Sequence, residues 1–104
     1  MNAFGEHVRR LRLTRRLLLR HLAAELSIDP SLLSRIECGT KKPTREHVVK
    51  LARVLQVKEN ELLILYLADR LVYALQGESL AIEAMTVAEQ RLRYVLTSKS
   101  PQTK

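Results

Sequence analysis

The chain has 104 residues, enough for one domain with a modest hydrophobic core, and no separate second domain is expected. Its net charge is +7, and all of that excess lies in residues 1–60, which hold thirteen Lys or Arg and six Asp or Glu; residues 61–104 hold five of each. A basic excess confined to one segment favours a polyanionic partner, because neutralised phosphates release counterions.

The single cysteine, Cys38, rules out an internal disulfide and suits a reducing compartment. The first residues lack the apolar core of a signal peptide. The longest apolar run, residues 62–68, is shorter than the roughly 20 residues that cross a bilayer. We therefore expect a cytoplasmic protein with no membrane partner.

The first predicted helix covers about residues 2–15. Phe4, Val8 and Leu11 are spaced for one buried face. The arginines of this segment, together with one just after it, are expected to be exposed: Arg9, Arg10, Arg15 and Arg16.

Two short amphipathic helices with a tight corner between them are predicted next. The first carries an apolar stripe at i, i+3, i+4 and i+7, and residues 27–29 form the corner. The second begins with Asp29 as N-cap and Pro30 as first helical residue, and Gly39 suits a left-handed C-cap. The stripe of the first helix comprises Leu19, Leu22, Ala23 and Leu26; in the second, Leu33 and Ile36 face the first helix while Ser31, Ser34 and Arg35 face outward.

Three more helices complete the prediction. After a loop at residues 40–44, Thr44 can cap a helix whose apolar residues are again spaced at i, i+3, i+4 and i+7. From residue 59 the sequence is apolar on more than one face, and after Gly77 a last amphipathic helix follows. The apolar stripes are Val48, Leu51, Ala52 and Leu55 in the fourth helix and Leu80, Ala81, Ala84, Ala88, Leu92, Val95 and Leu96 in the last.

These residues resemble a known family. The pattern formed by residues 22–23, 28–29, 33–37, 39 and 41–43 is similar to that of the Cro/repressor-type helix-turn-helix regulators, the XRE group, over about residues 4–66. The resemblance implies an all-α fold with a five-helix repressor-like helix-turn-helix DNA-binding domain in residues 1–66 and an additional C-terminal helix. Residues 67–98 have no motif of the family; their apolar helices predict an extension for dimerisation, and residues 99–104 are predicted to be a frayed tail.

The second helix of a helix-turn-helix lies in the major groove, which predicts base contacts from the outer face of the third helix. Arg35 suits the bidentate contact to guanine O6 and N7, and Leu32 could touch a thymine methyl. The hydroxyl groups of Ser31 and Ser34 can donate or accept hydrogen bonds. Pro30 has no N–H group and can contribute only its shape. The predicted base-contacting residues are Pro30, Ser31, Leu32, Ser34 and Arg35.

Phosphate contacts are expected from flanking positions. By resemblance they fall near Leu19, Lys42 and Arg45; charge and location add Arg20 and Lys41.

Each assignment has a structural alternative. Arg35 could be a solvated charge or form a salt bridge within the fold, and a serine such as Ser31 is common in the first turn of any helix. Lys41 and Lys42 could belong to a solvated turn. The resemblance further implies that Arg12 and Glu37 form a structural ion pair between the first and third helices, so neither is assigned to DNA.

The sequence departs from the family pattern in three places. Leu18 and Leu19 occupy the places of a capping residue and a DNA-contacting Gln at the start of the second helix, which removes a cap normally contributing about 1 kcal/mol. Arg16 and Ser27 stand where the family usually has glycine. A left-handed backbone is less favourable for these residues than for glycine.

Nothing in the sequence indicates catalysis. It contains no nucleophile elbow, phosphate-binding loop or paired carboxylates. His7, His21 and His47 are widely spaced, with no Cys, Asp or Glu at metal-ligand intervals. We therefore expect that the protein is not an enzyme and that it binds neither a cofactor nor a metal.

One helix-turn-helix covers about half of an operator, so we expect a homodimer on a pseudo-palindromic double-stranded operator, with half-sites about 34 Å apart. The alternative is that the last helix folds back over the fifth within one chain. The candidates for the dimer seam are Tyr66, Leu67, Leu71, Val72, Tyr73, Leu75, Met85, Ala88, Leu92 and Val95.

The sequence thus predicts a bacterial or phage-type, sequence-specific transcription regulator. A repressor or an autoregulatory controller, such as those that accompany restriction-modification systems, fits best. The alternative is an antitoxin whose C-terminal helices bind a second protein while its helix-turn-helix regulates the operon. A third interpretation is nonspecific nucleic-acid binding through charge alone.

Overall fold

A computed structural model describes residues 3–99, which form six α-helices and no β-strand. The predicted start of the first helix at residue 2 and residues 100–104 of the predicted frayed tail lie outside the described residues. Contacts divide the chain into two units, Met1–Val72 and Tyr73–Lys104. The helices are α1 (Ala3–Thr14), α2 (Leu19–Leu26), α3 (Pro30–Cys38), α4 (Arg45–Leu55), α5 (Glu59–Leu75) and α6 (Ala81–Lys99).

The hydrophobic core of the first unit is assembled from α1–α4 and the start of α5. Helix α1 packs against α3 and α4, and α2 packs against the same two helices. Apart from half-buried Leu11 and Leu19, the apolar residues predicted to be inward on α1–α4 are buried, which confirms their assignment by spacing. The buried apolar residues are Phe4, Val8, Leu22, Ala23, Leu26, Leu33, Ile36, Val48, Leu51, Ala52, Leu55 and Leu62.

Three predicted helix ends are confirmed. The Asp29 side chain accepts the backbone N–H of Ser31 at the start of α3, and Gly39 ends that helix with φ 85°. Thr44 caps α4, where its hydroxyl accepts the N–H of His47 at 3.1 Å. The His47 ring completes the cap, because its Nδ1 accepts the Thr44 N–H at 3.1 Å. Thr44 and His47 thus form a reciprocal pair of hydrogen bonds, a capping box. The contribution of His47 was not predicted, since Glu or Gln usually occupies that position.

The two residues that replace the family's usual glycines both have a left-handed backbone. Arg16 has φ 58° and Ser27 has φ 59°, and Gln56 at the end of α4 has φ 58° as well. At these three helix ends, unlike at Gly39, the turn is made by a residue whose Cβ atom disfavours that backbone.

Helix α2 begins without a side-chain cap. Leu18 has the extended backbone of an N-cap residue, φ −74° and ψ 148°, but its side chain accepts no hydrogen bond. The predicted loss of this cap is confirmed.

The first half of α5 is anchored to α1. The ring centroids of Tyr66 and Phe4 lie 6.5 Å apart in an edge-on arrangement. The two carboxylate oxygens of Asp69 accept the backbone N–H groups of Ala3 and Phe4 at 3.2 and 2.9 Å, which caps the free N-terminal end of α1. His7 Nε2 lies 2.7 Å from a carboxylate oxygen of Glu61. This part of α5 belongs structurally to the first unit.

The second unit has a different surface. From Ile82 to Ser98 every residue of α6 is exposed, although many are large and apolar. None of the helices in residues 3–99 combines the length and apolar character that crossing a membrane requires. The exposed large apolar residues of α6 are Ile82, Met85, Val87, Leu92, Tyr94, Val95 and Leu96.

We predict that Ser27→Gly raises the free energy of unfolding by roughly 0.5–1 kcal/mol, because glycine relieves the left-handed strain but gains entropy in the unfolded chain. Ala24→Gly, at an exposed site inside α2, should lower it by about 1 kcal/mol. Urea unfolding of the two variants and wild type measures both effects. Two changes of the same sign would contradict the prediction.

Candidate nucleic-acid interface

A buried ion pair sets the orientation of α3. Arg12 donates from Nε to Glu37 Oε2 at 2.8 Å and from Nη2 to Glu37 Oε1 at 3.1 Å. Its Nη1 donates to the carbonyl of Leu17 at 3.0 Å. Glu37 is only 6% exposed. This confirms the structural pair implied by the resemblance and directs the Glu37 carboxylate into the fold, away from a DNA surface.

The side of α3 opposite the core carries the strongest candidates for base contact. Pro30, Ser31 and Arg35 are exposed. Ser31 and Arg35, four residues apart, share one helix face, and Arg35 Nε donates a long 3.4 Å hydrogen bond to the Ser31 carbonyl. In the described part of the chain Arg35 forms no ion pair. Its guanidinium is therefore not held in an internal salt bridge, the alternative raised by the sequence.

Two other predicted base contacts are less exposed than expected. Leu32 packs against the hydrophobic core and is half-buried, so the expectation that it lies on a wet face is wrong. The reason is its spacing: Leu32 lies one turn before buried Ile36. Ser34 is half-buried for a similar reason, since it lies three residues before buried Glu37.

The start of α2 presents backbone donors. Leu19 is half-buried against the core and can offer DNA little side chain, whereas Arg20 is exposed. The backbone N–H groups of these two residues have no acceptor within residues 3–99, since the Leu18 side chain provides none. A helix N-terminus of this kind suits a phosphate oxygen. The missing cap thus leaves donors at the predicted phosphate position.

The loop after α3 and the start of α4 supply the remaining cations. Lys41, Lys42 and Arg45 are exposed. Glu46, beside Arg45, lies 3.4 Å from Lys50 across one turn of α4, so a cation already faces this carboxylate. All residues predicted to contact phosphates are therefore exposed and positively charged, except Leu19.

One feature at the start of α3 was missed by sequence reasoning. The Ser31 N–H and hydroxyl both reach Asp29 Oδ1, at 2.8 and 2.9 Å. These two hydrogen bonds hold the pKa of the Asp29 carboxyl below its usual range, and the charge of Arg35 adds a smaller lowering. The aspartate followed two residues later by serine was a signal that could have predicted the contact.

The candidates for a dimer seam lie in both units. Tyr66 is half-buried against Phe4, and the guanidinium of Arg70 lies 5.8 Å from its ring centroid, so much of its surface already has intramolecular contacts. Leu75 is also half-buried. The other candidates are exposed: Leu67, Leu71 and Val72 in the first unit, and Tyr73, Met85, Ala88, Leu92 and Val95 in the second.

Comparison with known proteins gives two kinds of similarity. The family model described as helix-turn-helix domain matches residues 3–63. The N-terminal DNA binding domain of SinR from Bacillus subtilis is similar in structure, with a TM-score of 0.56 and 26% identity, over 61% of this chain and 93% of that one. The clp gene regulator ClgR from Corynebacterium glutamicum has a TM-score of 0.58 and 24% identity, over 96% and 93%. No curated protein matches.

The capping carboxylate of Asp29 should make stability depend on pH. Because the pKa of Asp29 is lower in the folded protein than in the unfolded chain, its ionised form stabilises the fold above the ordinary carboxyl pKa. That contribution is lost as the pH falls through the lowered pKa. Asp29→Asn keeps a capping oxygen but cannot ionise. The stability advantage of wild type over this variant should therefore shrink on acidification.

Urea unfolding of both proteins at neutral and acidic pH measures this difference. Other carboxylates titrate alike in both proteins and cancel in the comparison. An advantage that stays constant or grows in acid would count against the assignment.

Proposed function

The chain belongs to the helix-turn-helix domain family as an XRE-like regulator, and we propose that it is a homodimer that reads a specific double-stranded DNA sequence to control transcription. The observation that carries the proposal is the outer face of α3. There Ser31 and Arg35 are exposed one turn apart, while the Arg12–Glu37 pair holds the opposite side of the helix in the fold.

The contacts divide into two kinds. Arg35 has a planar set of donors that matches guanine O6 and N7, so it is assigned to sequence readout. Arg20, Lys41, Lys42 and Arg45 flank α3 in sequence and are assigned to phosphates, where they position the protein but carry little sequence information. The similarity to a DNA binding domain, that of SinR, supports DNA as the partner.

Arg35→Ala should cost about 1–3 kcal/mol of binding to the specific sequence and relax the preference at one guanine. Lys41→Ala should weaken binding almost equally on specific and random duplexes and reduce the slope of log K against log salt by about one. The specific sequence is first obtained by selecting bound DNA from a random duplex library near physiological salt. Titrations of both variants on specific and random duplexes then measure each effect.

The two substitutions are matched, because each removes one exposed positive charge. Equal losses from Arg35→Ala on specific and random DNA would contradict the readout role. Binding by wild type that shows no enriched sequence and only fades with salt would favour charge-only binding.

We propose that a second copy of the chain covers the exposed apolar residues of α5 and α6. Apolar side chains at this density are unusual on the surface of a monomeric soluble protein. A symmetric dimer would also supply the second reading helix that a two-fold operator requires. The finer role we propose is a repressor or an autoregulatory controller of the restriction-modification type, which acts by occupying its operator.

The exposed surface of α6 also favours one alternative, an antitoxin-like protein whose tail binds a second protein. The two proposals predict different thermal behaviour for the purified chain. A homodimer seam should give a stable, cooperative thermal transition, whereas a surface that awaits another protein should leave the tail disordered or prone to aggregation when the chain is alone.

Leu92→Arg should shift the protein from dimer to monomer, because it places a charge in the proposed apolar seam. The side chain is 58% exposed in the isolated chain, so the substitution removes no core packing. Gln90→Arg adds the same charge to an exposed residue on another face of α6 and should leave the dimer intact. Sedimentation at micromolar concentration measures all three proteins. Wild type that sediments as a monomer would contradict the dimer proposal.

A further inference from the structure

The hydroxyl proton of Ser31 already has an acceptor. Ser31 Oγ lies 2.9 Å from Asp29 Oδ1, which also accepts the Ser31 N–H at 2.8 Å. An ionised carboxylate has no proton to donate, so the hydroxyl must be the donor in this contact. The lowered pKa of Asp29 keeps the carboxylate ionised at neutral pH.

A serine hydroxyl has one proton and two lone pairs. With the proton directed to Asp29, Ser31 Oγ can only accept a further hydrogen bond. The second oxygen of Asp29, an exposed residue, is also only an acceptor. Arg35, one turn later on the same face, can only donate. The outer face of α3 therefore presents acceptors at its start and donors one turn further along.

The edges of the bases in the major groove distinguish these two roles. Guanine offers the acceptors O6 and N7, and thymine offers O4. Cytosine and adenine offer amino groups, at N4 and N6, that can donate. A free serine would be compatible with all four bases, whereas a serine that can only accept is compatible with the amino-bearing bases alone. Every base pair has one such base, so the preference concerns which strand carries it: cytosine or adenine on the strand that Ser31 contacts.

We propose that Asp29 makes Ser31 a specificity-determining residue that selects cytosine or adenine, through the amino group of the base, close to the guanine contacted by Arg35. This inference rests on the proposed function, since it names the sequence preference of the same site. One helical turn advances about 5.4 Å and neighbouring base pairs are about 3.4 Å apart. The amino-bearing base is therefore one or two base pairs from that guanine.

The experiment is selection from a random duplex library with four purified proteins: wild type, Ser31→Ala, Asp29→Gly and Arg35→Ala. On one strand, wild type should prefer cytosine or adenine over guanine or thymine roughly three- to tenfold at the position beside the guanine, as expected for one net hydrogen bond. Ser31→Ala should reduce that preference to less than about twofold and leave the guanine preference unchanged.

Asp29→Gly tests the cause of the preference. Glycine is a tolerated N-cap that destabilises a helix by only a few tenths of a kcal/mol relative to aspartate. The variant frees the Ser31 proton, so guanine and thymine should become accepted at that position. Ser31→Ala keeps the Asp29 cap on the backbone N–H and changes an exposed residue, so it tests the proposal even if Asp29→Gly unfolds.

Two results would overturn the inference: a position affected by Ser31→Ala that accepts bases with and without an amino group on the same strand, or no effect of Ser31→Ala at any position. In either case a guanine preference that Arg35→Ala removes would leave the proposed function standing. A wild-type protein that enriches no sequence would overturn both.

Discussion

The ion pair between Arg12 and Glu37 is the interaction on which the candidate interface depends. Glu37 is almost fully buried, and an unpaired carboxylate at that depth would strongly destabilise the fold. Helix α3 can therefore dock only with Glu37 turned towards the guanidinium of α1. That orientation leaves Ser31 and Arg35 on the outside. The bond from Arg12 to the Leu17 carbonyl extends the same support to the segment that leads into α2.

Around this pair the molecule separates stability from recognition. The core of the first unit is apolar, and its buried charge is matched by two hydrogen bonds from one guanidinium. The cations of α2, α3 and the loop after α3 are exposed, as their proposed contacts with phosphates and bases require. In the second unit α6 has no buried side chain from Ile82 to Ser98, so its apolar residues contribute little to folding within one chain. An exposed apolar surface of this kind is the reason to test the proposed dimer.

Sequence reasoning succeeded where the relevant interaction is local or periodic. The caps at Asp29 and Thr44 and the left-handed turn at Gly39 depend on residues only a few positions apart, and the core stripes depend on helix periodicity. Sequence reasoning failed at Leu32, which was assigned to the solvent-exposed face of α3 but lies at the edge of the buried stripe. The capping role of the His47 ring was also missed, because histidine is not the usual partner in such a box.

The sequence by itself determined the helical class, the inward stripes, the caps and the concentration of positive charge in the first 60 residues, because these follow from composition and short-range spacing. Resemblance added the assignment to a family of DNA readers. Only the tertiary structure decided which partners distant residues acquire, such as the capping of α1 by Asp69 across 66 positions. It also decided that Arg35 is free of an internal ion pair within residues 3–99. The physical reason is that hydrogen-bond direction and ion pairing depend on where side chains lie in space, which spacing along a chain does not specify.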